Sequence, residues 1–366
     1  MPRRTSPRSR TADPRSNRHA TAHDVARACG VSAMTVSRVF SGRAPVDQKT
    51  RARVLKAART LGYRPNQIAQ SLALSRTRTI GVVVPEISHS FFPEAIRGIE
   101  EVTYREGYHL LLMHSAETVE REQDALVTLE SKRVDGILLS VAQDVRSAAP
   151  YRRVLDRGIP LVFFDRCVRG IGAACVGIDD EESACLITRH LLQHGYRRIA
   201  HLAGPRHLLI SRERLAGFIR AHAEAGVHHD EALVVQAGFH EDAGHAAMRS
   251  LLALPSVQRP RAVVAINDPA AYGAMRAVAE AGLVVPEDIA VVGFSDDLRA
   301  ALMPVPLTTI RQPAYDLGRA AAERLIAAIR GEPGVRRSQT VQTELIVRRS
   351  CGCGGPAPRG NDTRRA

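Results

Sequence analysis

The sequence predicts an α/β protein, with a small three-helix module near the N-terminus and a larger, two-lobed core of parallel sheets after it. Residues 19–64 contain three short helical patterns separated by turns. From Thr79 onward, short apolar runs alternate with amphipathic segments, which is typical of parallel β-α units. The chain has 366 residues, of which 45% are hydrophobic, and it can therefore bury the cores of several domains.

Each of the three N-terminal helices has residues that can start or end it. Thr21 can cap the first helix, with Asp24 three residues further on, and Gly30 can end it. Ser32 can cap the second helix and Asp47 the third, whose apolar residues recur at helical spacing. A glycine-containing turn of about three residues joins the first two helices, which is the signature of a helix-turn-helix motif.

Positive charge is concentrated in the same part of the chain. Residues 1–78 hold 17 basic and 3 acidic residues, which leaves 34 basic and 35 acidic residues for 79–366. Such a field is expected where phosphate groups must be bound. We expect residues 1–18 to be a disordered basic tail, but residues 19–78 still carry 11 basic residues against 2 acidic ones.

If this module is a helix-turn-helix, its second helix enters the major groove of double-stranded DNA. Ala33 and Met34 begin that helix and can touch thymine methyl groups, and Arg38 can bind guanine through a bidentate fork. The alternative for Arg38 is an ordinary surface charge. Hydroxyl groups suited to phosphate contacts are carried by Thr21, Ser32, Thr35 and Ser37. The side chains expected in the core are Val25, Val31, Val36 and Val39.

The apolar runs after Thr79 predict strands buried on both faces of parallel sheets. They cover residues 79–84, 108–113, 135–140, 160–164, 198–204, 232–236, 262–266 and 289–294. Amphipathic segments such as 93–106 and 182–194 predict the helices between them. Because this region is long for a single doubly wound sheet, we expect two similar lobes.

The segments "TAHDVARACGVSAMTVSRVFSG" and "GYRPNQIAQSLALS" resemble the LacI/GalR family of transcription regulators, and the resemblance extends over residues 20–350. It implies a homodimer whose helix-turn-helix domains, residues 19–64, bind a pseudo-palindromic operator. It assigns residues 65–78 to a hinge helix and linker that order on DNA. Asn66 can cap that helix, and Leu72 would be an apolar wedge in the minor groove.

The same resemblance implies a periplasmic-binding-protein-like core with a small-molecule effector between its lobes. The N-terminal lobe would comprise residues 79–178 and 312–340, and the C-terminal lobe residues 179–311 and 341–350. By position, the effector-binding residues would be Phe91, Phe92, Asp165, Arg166, Arg214, Phe239, Asn267, Ser295 and Asp296.

These aromatic and polar side chains suit a sugar or another polyol. Ser295 stands where many sugar-binding relatives have an aspartate. A hydroxyl at that position, with Arg166 beside Arg214, would tolerate an acidic ligand, so we expect a sugar or a sugar acid. Leu208, Leu209 and Ile210 stand where a purine-binding relative has polar contacts.

A ligand-responsive repressor has two alternatives, an enzyme and an architectural DNA-binding protein. An enzyme is disfavoured because the sequence has no GxGxxG after a first strand, no P-loop and no GxSxG. The second alternative is an architectural DNA-binding protein whose large domain only dimerises it. Uniform coverage of DNA, rather than a discrete protected site that responds to a small molecule, would favour that alternative.

The remaining sequence features predict few further partners. No apolar run is long enough for a membrane span and no secretory signal begins the chain, so we expect a cytoplasmic protein with no membrane partner.

The six cysteines show no CxxC pair, so they are expected to be scattered thiols in a reducing compartment. The "CGCGG" segment offers only two soft ligands, which make a poor zinc site, so no metal and no cofactor are expected. Residues 351–366 are expected to be a disordered tail, and the missing leucine heptad favours a dimer over a tetramer.

Overall fold

The computed structural model describes residues 20–41, 45–63, 76–335 and 337–353. The chain divides into two compact units, Met1–Thr77 and Arg78–Ala366. Residues 1–18, predicted to be a tail, most of the predicted hinge segment with Asn66 and Leu72, and residues 354–366 lie outside the described residues.

The first unit contains three helices around a small apolar core, as predicted. Thr21 and Asp24 form a reciprocal capping box at the start of α1, and Gly30 ends that helix in the left-handed conformation, with φ 61°. The side chain of Asp47 accepts a hydrogen bond from the first turn of α3. The helices are α1 (Ala22–Cys29), α2 (Ala33–Ser41) and α3 (Gln48–Thr60). The buried core includes Val25, Val36, Val39 and Val54, and Val31 is partly buried against it.

The second unit contains two six-stranded sheets among the described residues, which confirms the predicted two-lobed α/β architecture. The first sheet is entirely parallel, with strand order β11-β5-β4-β3-β1-β2. Its strands are β1 (Thr79–Val84), β2 (His109–His114), β3 (Gly136–Leu139), β4 (Leu161–Phe164), β5 (Ala174–Gly177) and β11 (Gln339–Thr340). Its helices are α4 (Phe91–Arg105), α5 (Val119–Ser131), α6 (Ala149–Asp156) and α11 (Ala314–Arg330).

The second sheet repeats this arrangement, with strand order β12-β10-β9-β8-β6-β7. Only its edge strand β12 is antiparallel to its neighbour. Its strands are β6 (Ile199–Ala203), β7 (Val234–Gln236), β8 (Ala262–Ala265), β9 (Ala290–Ser295), β10 (Thr308–Arg311) and β12 (Glu344–Ile346). Its helices are α7 (Asp180–Gln193), α8 (Leu209–Glu224), α9 (Glu241–Leu252) and α10 (Asp268–Glu280). No helix in the described ranges is long and apolar enough to cross a membrane.

Two expectations about cysteines are wrong. Cys167 and Cys175 form a disulfide, because the parallel pairing of β4 with β5 brings their Cα atoms to 5.9 Å. Residues 351–353, expected to belong to a disordered tail, are also ordered. Cys351 is fully buried in the core of the second lobe, and Cys353 packs against that core.

Candidate functional site

The N-terminal unit presents one face of α2 outward. Val36 and Val39 are buried, whereas Met34 is 64% exposed and Arg38 is exposed as well. The Nη2 of Arg38 donates to the Sδ of Met34 at 3.6 Å, which holds the two side chains together on the same face. Ala33 is partly buried at the start of the helix.

Of the hydroxyl groups predicted to contact phosphate, those of Thr21, Ser32 and Thr35 lie at the starts of helices, and that of Ser37 lies further along α2. The Oγ of Ser32 accepts from the backbone N–H of Thr35 at 3.1 Å and lies 3.0 Å from its hydroxyl oxygen. The hydroxyl of Thr21 donates to Asp24 at 2.7 Å, and Ser37 is exposed on α2. Helix starts are suited to anions, because their first N–H groups have no partner within the helix.

The exposed charged side chains around α2 are mostly basic. All of the basic side chains described between residues 20 and 63 are exposed: Arg27, Arg38, Lys49, Arg51, Arg53, Lys56 and Arg59. The acidic residues in that range are Asp24 and Asp47, and both serve as helix caps. This surface can attract a polyanion.

The second unit has a cleft of about 560 Å³, including its open mouth. Strands of both lobes end near it, as is usual for ligand sites in parallel sheets. Of the nine predicted effector residues, eight line this cleft: Phe91, Phe92, Asp165, Arg166, Arg214, Phe239, Asn267 and Ser295. Ile210, noted from the sequence at a position where a purine-binding relative has polar contacts, also lines the cleft. The lining residues not predicted from the sequence are Glu86, His89, Glu117, His240, Pro269, Asp297 and Gln312.

The two arginines of the cleft are buried and paired with acidic side chains. The Nη1 of Arg166 lies 2.8 Å from a carboxylate oxygen of Glu117, and its guanidinium lies over the ring of Phe239 at 4.0 Å. The Nε of Arg214 lies 2.8 Å from a carboxylate oxygen of Asp180. Burial raises the pKa of Asp180 to about 6, although Arg214 opposes that shift. Both guanidinium groups are therefore already neutralised by the protein.

Asp165 combines two unusual features at the end of β4. Its backbone has φ 58°, a left-handed conformation that is uncommon for a residue with a side chain. Burial raises the pKa of its carboxyl group, while Arg166 and Arg214 lower it. A strained backbone and a perturbed carboxyl group in a cleft are typical of functional positions.

Asn267 and Asp297 shape the cleft from the second lobe. The Oδ1 of Asn267 accepts from the backbone N–H of Ala270 at 3.0 Å, so this residue caps α10. Its Nδ2 donates to the backbone oxygen of Phe239 at 2.9 Å. Asp297 accepts from the hydroxyl of Ser90 at 2.7 Å, and this bond joins the two lobes across the cleft. Burial alone would raise the pKa of Asp297, but hydrogen bonds from Ser90 and from the backbone N–H of Arg299 help to lower it below its usual value.

Asp296 is the predicted effector residue that does not line the cleft. Its carboxylate lies 2.8 Å from Nε of Arg311 and 2.6 Å from Nη2 of Arg348. Ser295 and Asp296 both have positive φ, at 129° and 58°, and this turn directs the next residue, Asp297, to the cleft. The structure thus places Asp297 at the cleft, where Asp296 was predicted.

A helix-turn-helix unit followed by a two-lobed domain with a cleft between its lobes defines a class of proteins, the DNA-binding regulators that respond to a small molecule. The model of the lacI family of bacterial regulatory proteins matches residues 21–66, and that of a periplasmic binding protein-like domain matches residues 188–351. The chain belongs to the LacI family of bacterial regulators, and the resemblance noted from the sequence is confirmed.

Its relatives are repressors. The HTH-type transcriptional repressor PurR of Vibrio campbellii is 36% identical over 331 residues, which cover 90% of this chain and 98% of that protein. The ribose operon repressor of Halalkalibacterium halodurans is 36% identical, over 90% of this chain and 96% of that protein.

Solved structures agree with this relationship. The complex of the transcriptional regulator CelR with cellobiose is 32% identical, with a TM-score of 0.69 and coverage of 90% of this chain and 99% of that one. The lac repressor dimer bound to operator and the anti-inducer ONPF is 28% identical, with a TM-score of 0.80 and coverage of 91% and 99%. Together the relatives support a ligand-responsive, DNA-binding repressor.

Proposed function

We propose that this chain is a homodimeric repressor that reads a pseudo-palindromic operator and responds to a neutral sugar in its cleft. The face of α2 would enter the major groove, with Arg38 on guanine and Met34 on a thymine methyl group. The hydroxyl groups of Thr21, Ser32, Thr35 and Ser37 would contact phosphates and fix the register of the helix on the duplex. Asn66 and Leu72 would belong to the hinge that opens the minor groove.

The observation that supports a neutral ligand is the pairing of both cleft arginines. Arg166 faces Glu117 and Arg214 faces Asp180, so neither guanidinium offers an uncompensated charge to a carboxylate on the ligand. The other charged side chains that line the cleft are the carboxyl groups of Glu86, Asp165 and Asp297. A sugar acid would bring a further negative charge among them, which is unfavourable in a partly buried site. The expectation of a sugar acid therefore loses its physical basis.

The remaining lining suits a polyol. Three phenylalanine rings can lie against the C–H faces of a sugar: Phe91, Phe92 and Phe239. Carboxylate, amide and hydroxyl groups can bind its hydroxyls, and these are supplied by Asp165, Asn267, Ser295, Asp297 and Gln312. The ligand would stabilise one arrangement of the lobes, and it would shift operator affinity by its difference in affinity for the two arrangements.

The test uses the full-length chain and an operator selected from a random duplex library. Binding of the labelled operator and of a scrambled duplex is measured by fluorescence anisotropy, with a panel of neutral sugars, sugar acids and purine bases. We expect a neutral sugar to change affinity for the operator, with little effect on the scrambled duplex. A response only to sugar acids or only to purines would overturn the assignment of the ligand. If no duplex is preferred over another, the architectural alternative replaces the repressor.

A further inference from the structure

A cluster of soft metal ligands lies in the second lobe, apart from the residues that line the cleft. The Nε2 of His190, on α7, lies 3.4 Å from the Sγ of Cys351 and 2.9 Å from the Sγ of Cys353. These three ligand atoms lie within 4.8 Å of one another, and no fourth His, Cys, Asp or Glu of the described residues joins them at that spacing. The sequence shows only the Cys-Gly-Cys pair, because the histidine is 161 residues away from Cys351.

We propose that His190, Cys351 and Cys353 bind a thiophilic cation, Zn²⁺ or Cu⁺. Two thiolates and one imidazole form a donor set that selects these ions over hard cations. Cu⁺ can be satisfied by the three protein ligands, whereas Zn²⁺ would take water as a fourth ligand. The ion would link residues 351–353 to α7 through His190.

The separations of the donor atoms are close to those that an ion requires. With metal–sulfur and metal–nitrogen distances of about 2.3 and 2.0 Å, tetrahedral geometry separates sulfur from nitrogen by about 3.5 Å. The distance from His190 to Cys351 already matches this value. The distance from His190 to Cys353 must lengthen by about 0.6 Å. Cys353 is only partly buried and follows a glycine, so its side chain has room to make this adjustment.

The backbone around the cysteines is held in place without an ion. The hydroxyl of Ser350 donates to the backbone oxygen of Val291 at 2.6 Å, and the hydroxyl of Tyr196 donates to the backbone oxygen of Cys351 at 3.1 Å. Gly352 has φ 76°, and a Cβ at that position would lie 2.8 Å from the Tyr196 hydroxyl. This turn, which favours glycine, lets both sulfur atoms approach the same imidazole. The site is therefore largely formed before the ion binds, which lowers the cost of ordering its ligands.

The test uses the full-length chain, kept under a non-thiol reductant and stripped with a chelator. Zn²⁺ is titrated against a chromophoric chelator, and Cu⁺ is titrated anaerobically against a Cu⁺-specific chelator. Co²⁺ serves as a spectroscopic probe, since coordinated thiolates give a charge-transfer band in the near ultraviolet. The variants are Cys353→Ser and His190→Gln, which avoid the fully buried Cys351. The matched control is Cys185→Ala, which removes a free thiol that is not part of the cluster from α7, the helix that carries His190.

We expect about one ion per chain, a rise in melting temperature on binding and a thiolate–cobalt band. Either variant should weaken binding by at least about 100-fold, while Cys185→Ala should bind like the wild type. Tight binding of Cu⁺ alone, or of Zn²⁺ alone, supports the site and identifies its ion. Failure of the wild type to bind either ion would overturn the proposal. Equal binding by the wild type and both variants, or equal loss in Cys185→Ala, would do the same.

Discussion

The N-terminal unit and the cleft both contain arginines at sites proposed to bind a ligand, and these arginines are in opposite electrostatic settings. Arg38 is exposed on α2 in a unit where all the described basic side chains are hydrated. Arg166 and Arg214 are buried and lie 2.8 Å from the carboxylates of Glu117 and Asp180. An exposed cation can attract a polyanion from solution, whereas an arginine paired with a buried carboxylate forms part of a pocket wall. The burial of each arginine therefore says more about its role than its position in the sequence does.

The largest expected effect tests whether the cleft arginines are structural. Arg214→Ala leaves the carboxylate of Asp180 buried without its cation, and we expect the free energy of unfolding to fall by about 3–5 kcal/mol. Arg311→Ala removes an exposed ion-paired arginine and should cost less than about 1 kcal/mol. Urea unfolding followed by circular dichroism measures both. Equal losses in the two variants would contradict the contrast between buried and exposed arginines.

The next effect concerns a buried acid in the same domain. Burial raises the pKa of Glu122 to about 7, although the carboxylate accepts hydrogen bonds from Tyr151 and from the backbone N–H of Ala142. Because folding raises the pKa of Glu122, the unfolded chain loses this proton at a lower pH than the folded protein does. The folded state is therefore destabilised as the pH rises from about 4.5 to about 7. Glu122→Gln cannot ionise, so its stability relative to the wild type should increase by up to about 3 kcal/mol across that range.

Unfolding free energies at pH 5 and pH 8 check this prediction. Glu120→Gln is the matched control, since Glu120 is exposed on the same helix. We expect the pH profile of Glu120→Gln to run parallel to that of the wild type. A parallel profile for Glu122→Gln would mean that this carboxyl group is not destabilised by burial.

A smaller effect tests the exposed side of the comparison. Arg38→Ala should reduce the preference for operator over random DNA by about 1–3 kcal/mol, because a bidentate guanine contact is lost. Arg59→Ala removes the same charge from another exposed site and should weaken specific and random binding alike. Anisotropy titrations with both duplexes separate the two outcomes. If Arg38→Ala weakens both equally, Arg38 contacts a phosphate instead of a base.

The smallest effect concerns the contact between the lobes. Ser90→Ala removes the hydroxyl that donates to Asp297 and accepts from the backbone N–H of Leu298 at 3.1 Å. We expect the affinity for the sugar to fall by about 1 kcal/mol, or roughly fivefold, because the closed arrangement loses these bonds. Calorimetric titration measures the change. Unaltered affinity would show that this contact does not contribute to ligand binding.

Local features were the easiest to predict from the sequence. Thr21, Gly30 and Asp47 were assigned to the right helix ends, because a cap depends on residues within one turn. The eight apolar runs became strands, whereas β5, β10, β11 and β12 were missed. These four are two to four residues long. β10, β11 and β12 contain threonine, glutamine or glutamate and lack an extended apolar run, whereas β5 lies in a run of small apolar residues and glycine over 171–178.

Contacts between distant residues were the hardest to predict. Glu117 pairs with Arg166 across 49 residues, and Ser90 meets Asp297 across 207. No local pattern in the sequence signals such contacts, because they depend on how the strands and lobes pack. The third ligand of the cysteine cluster was missed for the same reason. The disulfide joins residues only 8 positions apart, but it too depends on strand pairing, that of β4 with β5.

In the proposed regulation, binding of the sugar in the cleft and binding of the operator by the N-terminal unit change each other's affinity. The most direct measurement is the Kd of the sugar for the full-length chain, determined by calorimetry with and without saturating operator duplex. Linkage requires the operator to change the sugar Kd by the same factor as the sugar changes the operator Kd. We predict that these two factors are equal to each other and that both differ from one. A sugar Kd that is unaffected by the operator would contradict the account.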